Sequence, residues 1–224
     1  MLATGSFVSP MQPVRKARVS VSLVACALSI VAFALLGSAP AAEGVDAKVR
    51  SSPQPITPFA LQQASGAPFT ADNFKGKWSL VVLGFTHCPD VCPFTLQNLA
   101  QVEEELSLRV SPDRKPQVVF IGVDPDRDHK VIGEYVKHFS DHFIGATGEW
   151  EEVAKAVDTL GGFVRITGKE KDPEDYRVFH SASISVVDPE GRLVAGVNPP
   201  MPPSETATFL AELFIKHTRK TAKQ

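Results

Sequence analysis

Two runs, residues 79–85 (SLVVLGF) and 117–124 (QVVFIGVD), are almost wholly apolar, as expected of strands covered on both faces. Between them Phe94, Leu96, Leu99, Val102 and Leu106 recur at helical spacing. The pattern therefore predicts strand, helix, strand, with the strands parallel and joined by a right-handed crossover. Val131, Ile132, Tyr135, Val136 and Phe139 share a face of a second helix over 130–139. Residues 143–145 make a short apolar stretch, and a third helix over 151–160 stops at Gly161 and Gly162. Residues 183–187 and 192–197 flank Asp188-Pro189-Glu190-Gly191, the clearest hairpin turn in the chain. After four prolines, Ser204 is expected to cap a last helix running to about His217, with Phe209, Leu210, Leu213 and Phe214 inward.

A strand-helix-strand unit followed by a hairpin and a terminal helix is the element order of a thioredoxin-like fold. The expected class is therefore α/β, with a central mixed β-sheet flanked by helices and with insertions. Ahead of it, residues 19–36 carry no charge and follow Arg15, Lys16 and Arg18, the pattern of a signal peptide or of a single membrane anchor. Eighteen residues is near the lower limit for a span, three serines weaken it, and Ala39-Pro40-Ala41 resembles a cleavage site. A cleaved leader and a retained anchor both remain open. Either way the rest of the chain is translocated, so the working domain is expected to be extracytoplasmic: periplasmic if cleaved, on the bacterial inner membrane facing the periplasm if not. Residues 43–55, polar and broken by Ser51, Ser52, Pro53 and Pro55, read as a flexible linker. The expected organisation is leader or anchor over 1–42, linker over 43–55, domain over 56–217 and polar tail over 218–224.

Composition narrows the function. The 224 residues are 43% hydrophobic and 21% charged, ordinary for one globular domain. The formal charge is −2, and the leader holds basic residues only, so the domain itself is more acidic still. It offers no footprint for a phosphate backbone, which argues against nucleic acid. Three cysteines are too few for a disulfide scaffold, and Cys26 lies in the apolar leader.

Thiol chemistry thus falls to Cys88 and Cys92, at the exit of a buried strand and the entry of a helix. Backbone N–H groups and the helix dipole favour thiolate there. Positions i and i+4 of a helical turn share a face, so both sulfurs can reach one ion or each other. By spacing alone a structural disulfide competes with a metal site, and the strand-helix junction favours the latter. Two thiolates underfill zinc, whereas two thiolates and one imidazole suit soft copper(I). Of six histidines, His180 is best placed, directly before the strand over 183–187 where thioredoxin-like proteins hold a proline against their cysteines; this chain has none between Pro173 and Pro189. His87 reads as solvated or as supporting the site from behind a ligand, not as a ligand itself, and His129, His138, His142 and His217 as lying on exposed faces or loops. Asp90 is expected to cap the helix, with assistance to copper(II) or tuning of the thiols as the lesser alternative. Asp124, Asp126 and Asp128 lack the glycine and glutamate of a calcium loop and are expected in turn and cap roles.

GFTHCPDVCPFTL at 84–96, VDPDRD at 123–128 and HSASISVVDPEGRLV at 180–194 together resemble the Sco/SenC family of copper chaperones for cytochrome c oxidase. The similarity opens with PFALQQASGAPFTADNFKGKWSL at 58–80, corresponding to the family's entry strands and implying an N-terminal β extension. It implies that Cys88, Cys92 and His180 bind one copper ion and that the domain meets the oxidase's copper-bearing subunit, a copper donor and a thiol reductant. Phe179 stands where many members have aspartate, so the bonding that orients the imidazole is expected to differ. The rival reading uses Cys88 and Cys92 as a redox-active pair: an extracytoplasmic thiol-disulfide oxidoreductase that reduces the subunit's copper-ligand cysteines, or a redox sensor.

Overall fold

The computed structural model describes residues 44–172 and 175–221; the proposed leader or anchor lies outside them. Among the described residues no helix is long and apolar enough to cross a membrane. Residues expected to be a linker instead form β1 (Ala47–Pro55), which runs antiparallel to a strand near the C-terminus. The side chains of β1 are mostly exposed, so it shows no apolar period. Backbone pairing holds it, with an irregularity between Val49 and Gln54. A short hairpin of β2 (Ala60–Gln63) and β3 (Pro68–Thr70) follows.

The core begins with β4 (Ser79–Gly84), buried at every position. Helix α1 (Val91–Ser107) leads to β5 (Gln117–Gly122), parallel to β4 as expected. The predicted second helix is shorter, α3 (Ile132–Lys137), and an unexpected single turn, α2 (Pro125–Asp128), precedes it. β6 (Ile144–Thr147) adds a third parallel strand and α4 (Trp150–Thr159) matches the third predicted helix. An unanticipated hairpin comes next, β7 (Val164–Thr167) with β8 (Arg177–His180), as a separate two-stranded sheet. The expected hairpin is β9 (Ile184–Val187) with β10 (Arg192–Val197). In its turn Asp188 accepts the amides of Glu190 and Arg192, and Gly191 takes φ +74°. Helix α5 is Pro203–Thr221. Proline suits the first helical position, which places Ser204 inside the helix, not at its cap; its hydroxyl accepts from Arg109. The helix also reaches into the segment expected as a polar tail.

The main sheet has the order β1-β10-β9-β4-β5-β6-β2-β3, with parallel pairing at β4-β5 and β5-β6 and antiparallel pairing elsewhere. This is the mixed, thioredoxin-like sheet, extended at both edges by N-terminal strands. Successive side chains of its central strands serve opposite faces. Leu80, Val82, Val118 and Phe120 pack with Leu96, Leu99, Ile132 and Phe214, while Val81, Leu83, Val119 and Ile121 pack with Phe69, Val153 and Val157. Phe94 is 58% exposed, off the inward stripe on which it was expected: at 100° per residue it stands about 200° from Leu96.

Candidate metal centre

β4 is buried on both faces and ends at the junction that carries the thiols. Gly84, its last residue, needs its missing Cβ: a methyl there would lie 2.5 Å from the Phe120 ring and 3.0 Å from Cys92 Sγ. Cys88 sits in the turn before α1 and is half-buried; Cys92 is in the first turn and only 1% exposed. Both are free thiols. The amide of Cys92 donates to Cys88 Sγ at 3.4 Å. This bond replaces the expected cap by Asp90, whose side chain makes no capping bond. Of the two amides such a cap uses, those of the second and third helical residues, Cys92 spends its own on the sulfur and Pro93 has none.

His180 is the last residue of β8, four residues before β9. Its Nδ1 lies 2.9 Å from the Ser181 carbonyl oxygen and its Nε2 3.5 Å from Cys92 Sγ. A carbonyl only accepts, so Nδ1 carries the proton and Nε2 presents its lone pair to the sulfurs. This backbone contact is what orients the imidazole here. Phe179 points to the other side of the strand, 41% exposed and under the Arg165 guanidinium at 5.2 Å. The Phe85 ring meets the His180 ring edge-on at 5.8 Å.

The ligand atoms of Cys88, Cys92 and His180 all lie within 4.8 Å of one another. With bonds of about 2.0–2.3 Å, a trigonal ion needs such atoms about 3.5–4 Å apart, so small movements close the set, and its softness suits copper(I). Burial pushes the Cys92 thiol far up from its ordinary value, overriding the lowering expected at a helix N-terminus. Burial likewise pushes His180 down, which keeps its imidazole neutral. In the metal-free centre Cys92 must therefore lose a proton before it can bind metal, while the imidazole already presents a lone pair.

The remaining candidates separate cleanly. His87 is exposed, with Nδ1 3.1 Å from Thr86 Oγ1, and His129, His138 and His142 are exposed as expected. His217 is not on an open face: it bonds Glu190 at 2.8 Å and meets the Trp78 ring edge-on at 5.1 Å. Asp188, Glu190 and His217 also cluster, but Arg192 already bonds both carboxylates, so a fixed cation serves them. The acidic trio behaves differently from a set of turn caps. Asp128 is buried and accepts from the Thr86 amide and hydroxyl and from the Asp124 amide; burial pushes its carboxyl up to about 6. Asp124 is also buried and holds Arg127 and Tyr176. Sequence reasoning missed Gly84, Phe85 and Tyr176 as parts of the site. The VDPDRD motif was the available signal for Asp124 and Arg127.

A thioredoxin-like domain with two thiols at the strand-helix junction and an imidazole delivered from a separate hairpin defines a branch of the fold with a three-residue group that could hold a metal ion. The SCO1/SenC family model matches residues 47–214, and the chain belongs to that family. The human mitochondrial protein SCO1 homolog is 39% identical over 139 residues, covering 61% of this chain and 45% of its own length. A SCO2-like protein of Rickettsia felis is 35% identical over 154 residues, covering 68% and 73%. The chain spans about half the length of several curated relatives it matches. Among solved structures, Arabidopsis thaliana ScoI with copper bound has a TM-score of 0.64 at 31% identity, covering 72% of this chain and 98% of that one. Yeast Sco1 with copper bound has a TM-score of 0.65 at 32% identity, covering 71% and 88%.

Proposed function

We propose that this chain is a copper-binding metallochaperone of the extracytoplasmic space that prepares the dinuclear copper site of cytochrome c oxidase. The observation that carries the reading is the convergence of Cys88 Sγ, Cys92 Sγ and His180 Nε2 within 4.8 Å, with the imidazole tautomer set by Ser181. The relatives solved with copper bound support it. Cys88 and Cys92 bind as thiolates and His180 as a neutral imidazole, and delivery proceeds by exchanging these ligands for those of the oxidase's copper-bearing subunit. A copper donor supplies the ion. Because a disulfide could not bind it, a thiol reductant keeps the pair reduced. Residues 19–36 hold the domain at the membrane, or direct its export if cleaved.

A second reading has its own observation: Cys88 is half-buried while Cys92 is fully covered, as in a pair with one attacking and one resolving sulfur. As a reductase, Cys88 thiolate would attack a disulfide of the oxidase subunit and Cys92 would then displace the mixed disulfide. The partner gains two electrons and two protons as the pair is oxidised. Copper stoichiometry and affinity of the reduced protein, wild type beside His180→Ala, separate the two. One copper in the wild type, held much more weakly by the variant, supports the chaperone. Exchange competence without copper in either protein transfers the function to the reductase.

A further inference from the structure

The hairpin that delivers His180 makes no ladder hydrogen bonds with the main sheet, and an isolated two-stranded hairpin is at best marginally stable in water. Its attachments are therefore decisive. Val164 and Val178 pack on the core beneath it. Its other anchor is Tyr176, one residue ahead of β8 and 6% exposed, whose hydroxyl donates to Asp124 Oδ1 at 2.7 Å. Arg127 bonds the other carboxylate oxygen of Asp124 and lays its guanidinium 3.9 Å from the Tyr176 ring centroid. The same guanidinium lies 5.7 Å from the centroid of Phe85, whose ring meets His180 edge-on. Among the described residues its buried Nη2 has no hydrogen-bond partner, and the two aromatic faces are much of its environment. Asp124, Arg127, Phe85 and Tyr176 belong to the segment after β5, the turn after β4 or the hairpin, and none of them is among the three candidate ligands.

We propose that Asp124, Arg127 and Tyr176 form a latch that positions the imidazole of His180 against the two thiols. They are positioning residues, acting on the metal only through His180. The inference rests on the reading of His180 as a copper ligand. Without the latch the hairpin keeps its valine contacts but its turn end is freed, so the strand Arg177–His180 can shift and the imidazole at its far end is offered to the thiols only part of the time. Apparent affinity falls by the fraction of time the competent arrangement is lost.

The test is a double-mutant cycle on copper(I) affinity in the reduced full chain, using Tyr176→Phe, which removes only the hydroxyl, and His180→Ala. The metal-free proteins are also followed by melting temperature and by NMR of the His180 ring and of the amides of residues 177–181. Tyr176→Phe is expected to weaken copper binding about tenfold, in the range typical for groups that orient a ligand. It should also broaden or shift the His180 ring signals and speed exchange of the β8 amides, with little change in melting. In the His180→Ala background the same substitution should have no further effect. Additive losses in the cycle, or an unchanged affinity with unmoved His180 signals, would overturn the latch while leaving the three-ligand site standing. Unchanged affinity in His180→Ala alone would overturn the site itself and the latch with it. If Tyr176→Phe destabilises the whole domain, Asp124→Asn, which keeps the shape of the acceptor, repeats the cycle and must give the same coupling.

Discussion

Cys92 lies in the first turn of a 17-residue helix that packs on the main sheet, and Cys88 is bonded to its amide. His180, in contrast, ends a four-residue strand of a separate sheet, fixed by a carbonyl contact, two valines and the Tyr176 cluster. The thiols are placed by the same contacts that fold the domain, the imidazole by a peripheral attachment. Moving the sulfurs disturbs the core, whereas moving the imidazole disturbs only a hairpin. On the proposed chaperone reading, an ion would leave by moving one ligand while the other two stay in place, which suits ligand exchange. Hydrophobic side chains stand open on both sides of this divide, Val91 and Phe94 on α1 and Phe163 and Phe179 at the hairpin.

The comparison breaks most completely at the sulfurs. Cys88→Ser and Cys92→Ser should each reduce copper(I) binding to background, because one thiolate and one imidazole no longer make a three-coordinate soft site. His180→Ala should retain weakened binding through the two thiolates, with melting little changed. Equilibrium competition against a copper(I) chelator measures all three. Equal losses in the cysteine and histidine variants would erase the distinction between core-placed and hairpin-placed ligands.

Gly84 tests the core side by itself. In Gly84→Ala the new methyl would press on Phe120 and on Cys92 Sγ, so destabilisation of about 1–3 kcal/mol is expected from overpacking, together with weaker copper binding. Chemical denaturation reads the first and chelator competition the second. A variant of wild-type stability and affinity would show that the junction has slack the close contacts deny.

The difference between the two regions was also a difference in legibility. β4, β5 and α1 announce themselves through uninterrupted apolar runs and a helical stripe, and the cysteines stand at their junction. β1 was misread as a linker because its side chains are mostly exposed and it is held chiefly by backbone pairing, with Ala47 alone of its apolar residues packed on the core. The β7-β8 hairpin was missed for a related reason: four-residue strands, half-buried at every second position and separated by a polar connection, leave a weak signal. His180 was found because it precedes β9, not because β8 was seen. The need for glycine at 84 depends on Phe120 of the neighbouring strand, and the partnership of Tyr176 with Asp124 spans 52 positions; no local pattern carries either.

Protonation offers a graded test. Burial raises the Cys92 thiol, so at neutral pH the metal-free protein holds it protonated and copper must displace that proton. Affinity should therefore climb about tenfold per pH unit for that proton across the neutral range. His180 is pushed down by burial and contributes no competing proton above its ordinary range of about 6.5. For stability the sign is opposite. Above about pH 8.5 the unfolded chain ionises this thiol while the folded one keeps it protonated, so the metal-free protein should lose up to about 1.4 kcal/mol per pH unit. Melting curves of wild type and Cys92→Ala between pH 7 and 9.5 check this. A parallel decline in both would remove Cys92 as the cause.

The smallest effect sharpens the hairpin side. Lys169 pairs with Asp126 and lies 5.5 Å from the Tyr176 ring centroid, but both charged side chains are about half exposed. Such a pair is worth roughly 0–1 kcal/mol and weakens with salt. Lys169→Ala should therefore change copper affinity by less than about threefold, and 0.5 M salt should abolish even that. Tyr176→Phe removes a buried bond to a carboxylate, which salt screens far less, so its effect should persist. Affinity measured at low and high salt for both variants makes the comparison. If Lys169→Ala matched Tyr176→Phe and salt erased both, the hairpin would be held by surface charge, and the buried Asp124 contact would be incidental to the placing of His180.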